Sequence, residues 1–123
     1  MPKNEIIFYR NEQNKCPMLD FLNSLDNNMR SNVLRTVDLL RDKGRELREP
    51  FSKALSDGIF ELRIKAGSNI SRVLYFFVVG NKIILTSGFI KKTQKTPSAE
   101  IARAKRYRAD YLARTKNDER KEN

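Results

Sequence analysis

The stretch Ile59-Phe60-Glu61-Leu62-Arg63-Ile64-Lys65, the break Ala66-Gly67-Ser68-Asn69 and the run Ile70-Ser71-Arg72-Val73-Leu74-Tyr75-Phe76-Phe77-Val78-Val79 decide the fold. In Ile59–Lys65, Phe60, Leu62 and Ile64 alternate with Glu61, Arg63 and Lys65, the two-residue period of a strand with one buried face. The break has the composition of a turn. Ile70–Val79 is apolar on both faces, which predicts a central strand. Gly80-Asn81 suits a tight hairpin with a primed turn. Lys82–Phe89 then reads as the next strand, with Ile83, Leu85 and Ser87 opposite Ile84, Thr86 and Gly88.

Working outward, Glu5–Tyr9 (EIIFY) is short, apolar and β-prone, a first strand. Asn11–Pro17 is a polar linker whose proline suits the first turn of a helix. Met18, Phe21, Leu22 and Leu25 give that helix one apolar face. Asp26-Asn27-Asn28 supplies an N-cap for a second helix, from about Met29 to Lys43. Met29, Val33, Val37 and Leu40 form its buried stripe, and Gly44 is its stop. Arg45–Asp57 reads as irregular, closed by the turn Asp57-Gly58. After the strands, Ile90–Gln94 leaves the sheet. Thr96-Pro97 opens a last helix to about Arg114, with Ile101, Ala104, Arg108, Tyr111 and Leu112 on its inner side. Thr115–Asn123 is wholly polar and reads as a fraying tail.

The order β-α-α-β-β-β-α predicts an α+β fold. A small curved antiparallel sheet is packed by an N-terminal helical hairpin, with a C-terminal helix. One domain spans 1–114 and the tail 115–123. The sheet face carrying Glu61, Arg63, Lys65 and Arg72 is expected as a shallow basic concavity.

Charge is distributed unevenly. Residues 1–62 hold ten Lys/Arg and ten Asp/Glu, whereas 63–123 hold fifteen and five, so the second half carries the whole net charge of +10. Between Glu61 and Glu100 there is no acidic residue, and Arg63, Lys65, Arg72, Lys82, Lys91, Lys92 and Lys95 lie in that gap. A surface normally mixes both signs, so a one-sign stretch points to an anionic partner, nucleic acid first. The chain has no histidine, which removes the usual zinc sites, the serine–histidine triad and the commonest general base. A single Cys16 excludes an internal disulfide and fits a reducing, cytoplasmic setting. No apolar run reaches the ~18 residues of a membrane span, and the N-terminus has no signal-peptide pattern.

Arg63 and Lys65 share a strand face, and the short turn brings Arg72 near them. Lys91 and Lys92 follow the third strand and close the far side. Such a basin suits RNA cleavage by the ribose 2′-hydroxyl, because fixed cations stabilise the charge that builds on the phosphate oxygens. Arginine's planar fork matches two such oxygens. A lysine among other cations has its pKa lowered toward that of a base. Glu61 is either a base or an ion-pair partner. Among the aromatics, Phe89 is the candidate to stack a base, while Phe76, Phe77, Tyr107 and Tyr111 read as packing.

Gly58-Ile-Phe-Glu-Leu-Arg63, Ser71-Arg72-Val-Leu-Tyr75, Ser87-Gly-Phe-Ile-Lys-Lys-Thr-Gln-Lys-Thr-Pro97 and Glu100-Ile-Ala-Arg-Ala104, in this order, resemble the phage-derived RelE/HigB-like toxins of the RelE/ParE superfamily. The resemblance covers roughly residues 5–112. It implies the toxin of a type II toxin–antitoxin system, a ribosome-dependent mRNA endoribonuclease working without a metal or other cofactor. It implies a HigA-like helix-turn-helix antitoxin and mRNA on the ribosome as partners, with no membrane. Carried over, Arg63 and Arg72 match the phosphate-contacting and transition-state arginines, Lys65 a strand cation, and Lys91 and Lys92 the basic position after the last strand; with the reading of the residues themselves, Arg63, Arg72, Lys91 and Lys92 are the catalytic candidates and Lys65, Phe89 and Lys95 the RNA-binding ones. Several superfamily toxins use a histidine or tyrosine near the C-terminal end of the site, and this chain has no histidine. The alternatives are a ParE-like inhibitor of DNA gyrase and a non-catalytic nucleic-acid-binding protein.

Overall fold

The structure, a computed structural model, describes residues 4–91 and 95–122. Its elements are β1 (Glu5–Phe8), α1 (Pro17–Ser24), α2 (Asn27–Lys43), β2 (Ser52–Ser56), β3 (Ile59–Ala66), β4 (Asn69–Val78), β5 (Lys82–Ile90) and α3 (Ser98–Glu122), with a single 3-10 turn at Gly44–Glu46. The five strands form one sheet in the order β1-β5-β4-β3-β2. β2 to β5 run antiparallel, and β1 adds to β5 in parallel.

The helical hairpin forms for the reasons its sequence suggests. Pro17 occupies the first turn of α1, where its missing N–H costs nothing. Asp26 caps α2, its side chain accepting from the Met29 N–H at 2.8 Å. Gly44 ends α2 with φ +55°, and a Cβ there would lie 2.5 Å from the Asn4 amide. That amide in turn donates to the Arg41 carbonyl at 2.8 Å.

α1 and α2 lie on one face of the sheet. Met18, Leu22, Val33, Val37 and Leu40 meet Leu62, Ile64, Val73, Tyr75, Ile83 and Leu85, all buried. Each such side chain is worth about 1.5–3 kcal/mol relative to exposure. The other face carries a second core of Tyr9, Ile59, Leu74, Phe76 and Ile84, covered by Ala104, Tyr107 and Tyr111 of α3. Tyr107 stacks on Tyr9 with ring centres 4.6 Å apart, and Tyr111 meets Phe76 edge-on.

Four expectations are corrected. The segment expected as irregular contains β2, an edge strand whose sequence SKALS has no apolar alternation; its ladder to β3 defines it, with a bulge between Ala54 and Ser56. α3 continues past Arg114 to Glu122. Leu112 is 45% exposed, and Tyr107 takes the inner position instead. The second sheet face is only partly open, because α3 packs over β3, β4 and β5 there and Glu61 and Arg72 are themselves buried. Among the described residues, no helix is long and apolar enough to cross a membrane.

Candidate functional site

The β3–β4 hairpin places Arg63 directly opposite Arg72, with Glu61 two residues earlier on the same face of β3. Like charges directly opposed across a ladder destabilise it by a few tenths to ~1 kcal/mol. Glu61 offsets this. Its Oε1 accepts from Arg63 Nε at 3.2 Å and from Arg72 Nη1 at 3.1 Å. Its Oε2 accepts from the hydroxyl of Thr96, in the segment leading into α3. The expectation of a cation cluster with no acid partner is therefore corrected: a buried carboxylate sits at its centre. Pro97, not Thr96, makes the first backbone contacts of α3, its carbonyl accepting from the N–H of Glu100 and Ile101. Thr96 is left to serve Glu61.

Burial divides the three charged groups. The side chains of Glu61 and Arg72 are 2% and 5% exposed, whereas that of Arg63 is 28% exposed. Arg63 therefore offers its free nitrogens to solvent, and Arg72 works from below. Burial lowers the pKa of Arg72, Glu61 opposes that shift, and Arg63 adds to it. The Arg72 Nε is buried and has no partner among the described residues. An unpartnered buried donor costs about 1–3 kcal/mol.

Lys91 completes the cluster. Its backbone N–H donates to Ile70 O at 2.8 Å, which extends the β5–β4 ladder one residue past Ile90. Its ammonium has a lowered pKa, through burial first, then the positive charge of Arg72, with further repulsion from Arg63 and Lys53 and opposition from Glu61. Lys53 escapes the sequence reading because β2 does. It pairs in register with Glu61 and adds a fourth cation to the group's surroundings.

The remaining candidates are spread around this centre. Phe89 lies in register opposite Arg72 and is half-buried against the second core. Lys65 is exposed on β3, two residues beyond Arg63. Lys95 is exposed beside Thr96. Lys92 lies outside the described residues. Thr96 carries no sequence signal as a site residue, since its link to Glu61 spans 35 positions and exists only once α3 docks.

A cleft of about 470 Å³ opens at the outer edge of β3, beyond the end of β2. Arg63, Lys65 and Arg72 line it from the sheet, Asn32 and Arg35 from α2, and Phe51 from the turn before β2. Among the described residues, no carboxylate lines it.

Among comparisons with known proteins, the family model "Phage derived protein Gp49-like (DUF891)" matches residues 20–109. That span runs from within α1 into α3 and includes Glu61, Arg63, Arg72, Lys91 and Thr96. No curated protein shows significant similarity to the chain.

Proposed function

Because the chain belongs to the phage-derived Gp49-like family, a RelE/ParE-like family of toxins from toxin–antitoxin systems, we propose that it is an endoribonuclease that cuts mRNA on the ribosome. The observation that carries this reading is the pair of opposed arginines sharing Glu61, with Lys91 at the end of the neighbouring strand within electrostatic reach of both. Arg63 and Arg72 bind the scissile phosphate, and their forks match its two non-bridging oxygens. Lys91 in its neutral form takes the proton from the ribose 2′-hydroxyl. The 2′-oxygen then bonds to phosphorus, and the bond from phosphorus to the 5′-oxygen breaks. The products are a 2′,3′-cyclic phosphate and, after protonation, a 5′-hydroxyl. Charge developing on the phosphate meets cations already fixed in place, so little reorganisation is needed.

Glu61 acts in this scheme as a positioning residue. Its Oε1 is shared by both arginines and its Oε2 holds Thr96. With a side chain only 2% exposed, it is not presented to a 2′-hydroxyl. The ribosome supplies the orientation of the RNA that a small open basin lacks. The partner in the resting cell is an antitoxin whose acidic residues cover Arg63, Arg72 and Lys91, since charge complementarity guides recognition.

Primer extension on transcripts from cells briefly induced for the chain tests this reading, with Arg63→Ala alongside. Arg63 is the more exposed arginine, so its truncation is expected to leave the fold intact, which a thermal melt checks. Discrete cuts within translated regions, absent in the variant, are the expected result. Growth arrest with intact transcripts would overturn the nuclease reading, and a supercoiling assay would then test gyrase inhibition.

A further inference from the structure

The hydrogen bond from Arg63 N to Phe51 O, 2.8 Å long, extends the β2–β3 ladder one residue beyond Ser52, which pairs with Leu62. Phe51 therefore stands opposite Arg63. Arg63 stands opposite Arg72, and Arg72 opposite Phe89. Residues directly opposed across an antiparallel ladder share a face, with Cβ atoms about 4.5–5.5 Å apart. One transverse row thus crosses four chain segments in the sequence aromatic, arginine, arginine, aromatic.

The two aromatic ends differ. Phe89 is half-buried against the second core. Phe51 is 45% exposed, and its ring has no aromatic or cationic partner among the described residues. A large apolar ring left open in this way is held in place by its backbone. The N–H groups of Phe51 and Ser52 both donate to Arg48 O, at 3.0 and 3.1 Å. The ring borders the cleft at the outer edge of β3, which Arg35 and Lys65 also line. Arg35 has no ion-pair partner among the described residues. The cleft's volume falls within the ~300–1,000 Å³ range of small-ligand sites.

We infer that this cleft is a nucleobase subsite, in which the base next to the phosphate held by Arg63 stacks on Phe51, while Arg35 and Lys65 hold the following phosphate. The inference rests on the RNA reading above and extends it to a specific neighbouring nucleotide. An aromatic face accepts any base, so stacking supplies affinity and position more than sequence choice. Arg35 and Lys65, which make no ion pair among the described residues, favour a phosphate chain, and the bare ring favours a planar base. An acidic peptide would satisfy the first feature and not the second.

The chain has no tryptophan, so Phe51→Trp installs a single fluorescent reporter at the proposed stacking surface. The probes are a dinucleotide with a 2′-deoxy group at the scissile position, inorganic pyrophosphate, and an acidic hexapeptide. The dinucleotide is expected to quench the fluorescence saturably and pyrophosphate is not. Phe51→Ala is expected to weaken dinucleotide binding, measured by calorimetry, by about 5- to 150-fold, the range set by one stacked base. Equal effects of dinucleotide and pyrophosphate, or quenching by the peptide alone, would overturn the subsite.

Unchanged cutting by Phe51→Ala, with no quenching of the Trp variant, removes the subsite and leaves the nuclease. Saturable quenching of Phe51→Trp by the dinucleotide, with the wild-type chain leaving cellular transcripts intact, removes the nuclease and supports the subsite.

Discussion

Arg63 and Arg72 face each other across β3 and β4 and reach the same oxygen, Glu61 Oε1, at 3.2 and 3.1 Å. One carboxylate thus holds two cations in a pair that would otherwise repel. Each arginine uses a single nitrogen on Glu61, so the outward nitrogens of Arg63 stay available to a phosphate.

Removing Glu61 is therefore expected to cost more than an ordinary ion pair. Glu61→Ala leaves Arg72 buried without its counter-charge, and breaking one half of a buried pair costs about 3–5 kcal/mol. Urea unfolding should show the midpoint falling at an unchanged slope. Glu61→Gln keeps the shape and one acceptor, so it should lie between wild type and the alanine variant. A midpoint shift in Glu61→Ala no larger than an exposed pair produces would show that Glu61 does not hold the arginines.

A second polar cluster docks α3 far from the arginines. The Tyr9 hydroxyl donates to Asp110 Oδ2 at 2.5 Å, and Arg114 donates to the same oxygen from Nε and Nη2. Burial, aided by Asp110, pushes the Tyr9 pKa up from 10.0 to about 12. The neutral phenol is the form the fold favours. Its contribution is thus complete below the unfolded value and is lost as pH rises through about 12. Wild-type stability should decline over that window, and Tyr9→Phe should flatten the decline. At neutral pH the variant should lose about 1.5–3 kcal/mol, the worth of a hydrogen bond to a charged group. Denaturant midpoints across the pH series would check both.

Close packing of α1 on β5 sets another limit. A Cβ on Gly88 would lie 2.4 Å from the Phe21 ring. Gly88→Ala is expected to destabilise by about 1–3 kcal/mol through overpacking. Phe21→Leu should recover part of that loss when combined with it, since residues in contact are coupled. A double-mutant cycle with no coupling would mean that α1 shifts freely to admit the methyl group.

The sequence exposes the site where its geometry is local. Ile59–Lys65 and Ile70–Val79 are joined by a short turn, so their alternation sets both the register and the facing of Arg63 and Arg72. The same applies to α2, whose ends are marked by Asp26 and Gly44. What stays hidden depends on contacts between distant segments. Ser52–Ser56 is mostly polar and half exposed, because an edge strand needs ladder partners more than an apolar face. With β2 unread, Phe51 and Lys53 have no place in the site. Thr96 reads as a helix cap from its neighbour Pro97, and only the docking of α3 turns its hydroxyl toward Glu61. The charge count by halves also misleads, since Glu61 belongs to the neutral half in sequence yet lies within the basic cluster in space.

Lys91 provides the sharpest chemical test of the cleavage scheme. A base must be unprotonated to accept the 2′-proton, and an ordinary lysine is almost wholly protonated near neutrality. Burial and the charges of Arg72, Arg63 and Lys53 lower the pKa of Lys91 from 10.5, while Glu61 partly restores it. The cleavage rate on programmed ribosomes should therefore rise with pH and level off at a point below 10.5. Lys91→Arg keeps the charge but cannot release its proton in this range, so it should bind mRNA on the ribosome and cut it more slowly. General-base catalysis contributes about 10²–10⁴-fold, and the loss should fall in that range and appear in the chemical step under single-turnover conditions. The rising limb should vanish with it. A variant that cuts at the wild-type rate, or a pH profile unchanged by the substitution, would move the proton transfer to another group and leave Lys91 as a phosphate contact.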